Sequence, residues 1–123
     1  MKLHYLHTID GTLRVLALSR HARCVELYIK SVREGVWALV ALAGSLSGQP
    51  DRDCCQGPYH SACEAEAAVR RIAATLLTQD YRVRTPGQPL WALPAQRMVR
   101  EIRDTRRSFS PCDNAEQALE EPV

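Results

Sequence analysis

"VWALVALAG", from Val36 to Gly44, is the stretch on which the fold turns. Its period alone does not separate a buried strand from a buried helix, so the flanks must arbitrate. On the N-terminal side, "RCVELYIKS" (Arg23 to Ser31) alternates, with Val25, Leu27 and Ile29 on one face and Glu26, Tyr28 and Lys30 on the other. Period two is the mark of a strand with one wet face. "REG" at 33–35 turns the chain between the two runs. Before them come "TLRVLALS" (Thr12 to Ser19) and "KLHYLHTI" (Lys2 to Ile9), the latter with Leu3, Tyr5 and Ile9 opposed to Lys2, His4 and Thr8. Asp10-Gly11 between them supplies the positive φ of a tight hairpin. The gaps are too short for parallel crossovers, so residues 2–43 are predicted to form an antiparallel meander. Within it Val36–Leu42, apolar on both faces, belongs at the centre or under a helix.

Beyond the meander, "GSLSGQPDRDCCQGP" (44–58) has the composition of a loop. Gly44 and Gly48 give that corner backbone freedom, while Ala43 and Ser45 leave room for a following segment such as the helix from Ser61. "SACE" then opens a helix of about 61–79, with Ser61 and Glu64 placed as a capping box. Ala65, Val69, Ile72 and Leu76, flanked by Ala68 and Ala73, form its apolar stripe, and Arg70 and Arg71 lie nearer water. "YRVR" (81–84) is a short closing strand. "TPGQP" (85–89) is a loop. Pro94 suits the first turn of a second helix, about 94–107, with a stripe of Ala95, Met98, Val99 and Ile102.

The predicted fold is therefore α+β. An antiparallel four- to five-stranded sheet carries one helix on a face, followed by a second C-terminal helix. Residues 1–110 form a single domain, and 111–123 form a disordered acidic tail. A chain of 123 residues can bury a core without staples. No apolar run approaches the roughly 20 residues of a membrane span, and the start lacks a signal-peptide pattern, so a cytoplasmic protein is expected. Five cysteines (Cys24, Cys54, Cys55, Cys63, Cys112) cannot all pair within the chain and are expected as thiols.

The net charge of +2 conceals an asymmetry: four of the 14 acids (Asp113, Glu116, Glu120, Glu121) follow Pro111, where there is no Lys or Arg. The body is basic and the tail acidic, which suits an anionic partner or simply a solvated surface. Arg97, Arg100 and Arg103, at i, i+3 and i+6, make a ridge along the second helix that Arg107 extends. With Arg70 and Arg71 they are the candidate contacts for such a partner. Glu101 and Asp104 sit among them and offset part of the charge. Cys54, Cys55, His60 and Cys63 are zinc-type ligands, but their spacing matches no standard finger, and incidental thiols are the simpler reading. No metal, cofactor or catalytic residue is assigned.

Read outward from Val36, "GVWALVALAGSLSGQ", "YHSACEAEAAV" and "DYRV" resemble the WGR domain over residues 12–84. Gly44, Leu46, Gly48 and Gln49 fall at positions like those of that family's central motif. Ala43 stands in place of the namesake Trp, Ser45 of the namesake Arg, Ser47 of a glycine, and Asp80 of the glycine before Tyr81. The resemblance implies a small α+β module engaged in domain contacts and nucleic-acid binding. Without the Trp it lacks a stacking surface, and without the Arg a phosphate fork. The expected function is a non-catalytic interaction module acting through a protein partner. The alternative is nucleic-acid binding through the basic second helix.

Overall fold

The computed structural model describes residues 7–9, 13–84 and 90–109. The elements are β1 (His7–Ile9), β2 (Leu13–Arg20), β3 (Arg23–Arg33), β4 (Val36–Ser45), β5 (Pro50–Tyr59), α1 (Ala62–Thr78), β6 (Arg82–Val83) and α2 (Ala92–Arg103). The expected Asp10-Gly11 turn, most of the first strand, the 85–89 loop and the acidic tail lie outside the described residues.

The sheet is an antiparallel meander in the order β1-β2-β3-β4-β5, with β6 pairing β2 beside β1. β2 and β3 are joined at His21-Ala22, and β3 and β4 turn at Gly35, whose φ of +71° favours glycine. Val36–Leu42 is a strand, as its flanks require, and it pairs β3 on one side and β5 on the other.

Its two apolar faces have two different coverings. Leu39, Ala41 and Ala43 join Leu16, Leu18, Val25, Leu27 and Ile29 beneath the Ala65, Ala68, Val69, Ile72, Ala73 and Leu76 stripe of α1. On the opposite face Ala38, Val40 and Leu42 join Val15, Cys24 and Tyr28 beneath Trp91, Ala95, Met98, Val99 and Ile102. The sheet is thus sandwiched between the two helices. This corrects the expectation of a wet face on β3: Glu26 is fully buried there and Tyr28 with it, because α2 covers them.

A second correction concerns residues 44–58. Ten of the residues from Pro50 onward form β5, a full partner of β4. Its polar start and two prolines read as a loop, yet an edge strand tolerates both because one side of its backbone needs no partner. Only Cys54, Cys55 and Gln56 are buried in it, too few to betray the period. α2 also starts and ends earlier than the predicted 94–107, at Ala92 and Arg103. At α1, Ser61 Oγ accepts from Glu64 N (3.2 Å), but the Glu64 carboxylate accepts from His60 N (2.7 Å) rather than from Ser61.

The corner at Gly44 is a close approach of backbones. A Cβ there would lie 2.8 Å from Gln49 O and 3.0 Å from Pro50 Cα, so β5 could not start where it does. It is this strand, rather than the α1 helix, that crowds Gly44, while Ala43 packs under α1. At Gly48 an added Cβ would meet nothing nearer than Ser45 Cβ at 3.9 Å. Gly44→Ala should therefore cost about 1–3 kcal/mol, as overpacking does, and Gly48→Ala much less. Urea midpoints of the two variants measure the contrast.

Candidate functional site

α2 begins without any capping side chain of its own. Its N-cap is Trp91, which makes no side-chain cap hydrogen bond, and there is no acid in the first turn. The missing acceptor comes from the sheet. Glu26 Oε2 accepts from Leu90 N at 2.7 Å and Glu26 Oε1 from Trp91 N at 3.0 Å. A carboxylate at a helix start satisfies orphan amides and complements the helix dipole. Tyr28 Oη donates to Glu26 Oε1, and Arg84 Nη1 lies 3.6 Å from Oε2. The same Arg84 nitrogen is 3.1 Å from Cys24 Sγ. Trp91 Nε1 donates to Gly48 O at 3.0 Å, tying the helix start to the β4–β5 loop as well.

The electrostatics follow from this burial. Desolvation, then the hydrogen bond to Glu26, pushes the Tyr28 hydroxyl well above its ordinary range, so it remains a neutral donor. Desolvation also raises the Cys24 thiol, with Arg84 pulling the other way. The groups of this cluster are directed at one another and at the start of α2. Their work is to seat the helix.

The outer face of α2 is what this seating presents. Leu93 is 74% exposed in the first turn. Arg97, Arg100 and Arg103 are all exposed, at the spacing that makes one ridge. Arg103 Nε donates to Val32 O at 3.3 Å. The other sequence candidates do not join this ridge. Arg107 lies beyond the helix, held by Glu101 (3.2 Å) with Asp53 at 3.9 Å. Arg70 and Arg71 belong to α1, on the opposite face of the sheet.

The chain matches the family described as PA4575-like protein over residues 1–117. It belongs to that family. No curated protein and no solved structure matches this PA4575-like protein.

Cys54, Cys55 and Cys63 of the PA4575-like chain do not assemble around His60. Being adjacent on β5, Cys54 and Cys55 project to opposite faces, one under α1 and the other under α2. Cys63 is exposed at the start of α1. Among the described residues no group of three metal-binding side chains forms. Burial pushes the Cys55 thiol up to about 11, with the neighbouring Arg107 lowering it.

Sequence reasoning missed Glu26 and Leu93. The signal at Glu26 was a lone acid inside "CVELYI", which alternation assigns to water unless a second layer covers that face. Leu93 was hidden by placing the helix start one residue after it. Glu26→Ala, which strands the amides of Leu90 and Trp91 and the Arg84 charge, should destabilise the fold by about 3 kcal/mol; denaturant midpoints read this directly. Brief alkylation of the native protein followed by peptide mass spectrometry should modify Cys63 and spare Cys24, Cys54 and Cys55, because only the first is exposed and the buried thiols react slowly.

Proposed function

We propose that this PA4575-like protein is a small non-catalytic binding module of the cytoplasm, engaging a protein partner through the outer face of α2. The observation that carries the reading is Leu93, 74% exposed on a helix whose inner stripe is buried and whose start is fixed by Glu26. Arg97 and Arg100 beside it are of a type enriched in interface hot spots, and an exposed leucine among them gains when a partner covers it. Leu90, 39% exposed and three residues before Leu93, adds to it. The arginines favour an acidic partner surface, which would gain in association rate and in specificity. The resemblance of residues 12–84 to WGR modules points the same way, since that family works through domain contacts and nucleic-acid binding. Ala43, which replaces the family's Trp, is buried under α1, so a contact face elsewhere on the molecule is needed. The cytoplasmic location is supported by Cys24, Cys54, Cys55 and Cys63, which carry thiols rather than disulfides.

A second reading, nucleic-acid binding, is favoured by the common exposure of Arg97, Arg100 and Arg103 along one ridge. The two readings separate in one set of variants. Immobilised full-length protein should retain a specific partner from native lysate. Leu93→Asp should release that partner, and the Arg70→Glu, Arg71→Glu pair should not. Retention by all variants would end the α2 reading. If labelled duplex binds with a log–log salt slope near −0.9 per phosphate neutralised, and Arg100→Glu with Arg103→Glu flattens it while Leu93→Asp does not, the nucleic-acid reading replaces it. Robust hydrolase or transferase turnover by the purified chain would overturn both.

A further inference from the structure

We draw no further inference here: the strongest candidate, the surface patch of the two exposed leucines Leu46, in the β4–β5 loop, and Leu90, just before α2, belongs in part to the α2 face already described, and nothing in the structure shows what covers it.

Discussion

A carboxylate without access to water holds the molecule's third layer in place. Glu26 sits on the β3 face that α2 covers, and its two oxygens take the amides of Leu90 and Trp91. Burying a carboxylate is costly unless hydrogen bonds and a countercharge offset it. Here the amides, the Tyr28 hydroxyl and Arg84 together supply both. In return the interaction fixes where α2 starts and which of its faces meets the sheet. Everything proposed for the outer face of that helix, from Leu93 to Arg100, inherits its orientation from this contact.

The double apolar character of β4 follows from the same arrangement. A sheet with one helix would leave Val40 and Leu42 in water. With α1 over Leu39, Ala41 and Ala43 and α2 over Ala38, Val40 and Leu42, both faces are interior. The two helices also divide the positive charge. Arg70 and Arg71 go with one layer and Arg97, Arg100 and Arg103 with the other, while Arg20 and Arg82 lie at the end of the sheet between them. A chain whose net charge is only +2 thus spreads its arginines over separate surfaces.

Much of the fold was legible because local patterns agreed with one another. The α1 stripe was readable to the residue, since six apolar positions at helical spacing followed a capping serine. β3 was readable from alternation, and β2 and β4 from the short polar breaks that flank them. β5 was not, because strand period is visible only where one face is buried along the whole strand, and here Pro50–Asp53 lies at a solvated edge. The site was less legible than the fold. The exposure of Arg97, Arg100 and Arg103 could be read from their helical spacing. The burial of Glu26 could not, because it depends on a helix some 65 residues further along the chain. The seat of Arg20 over the Tyr81 ring likewise needs a segment some 60 residues further along, beside the strand that pairs with β2.

The meander also divides the contacts by their separation in sequence. β2 to β3 and β3 to β4 are closed by very short turns, and such loops cost little entropy to form. The pairings within these hairpins are near in sequence, whereas those of α1 with β2 and β3 are not. The Glu26–Trp91 and Leu18–Val83 contacts each span more than 60 residues. Closing such long loops costs more chain entropy than closing the hairpins. The layer that carries the proposed partner face is thus closed by a contact that spans more than half of the chain.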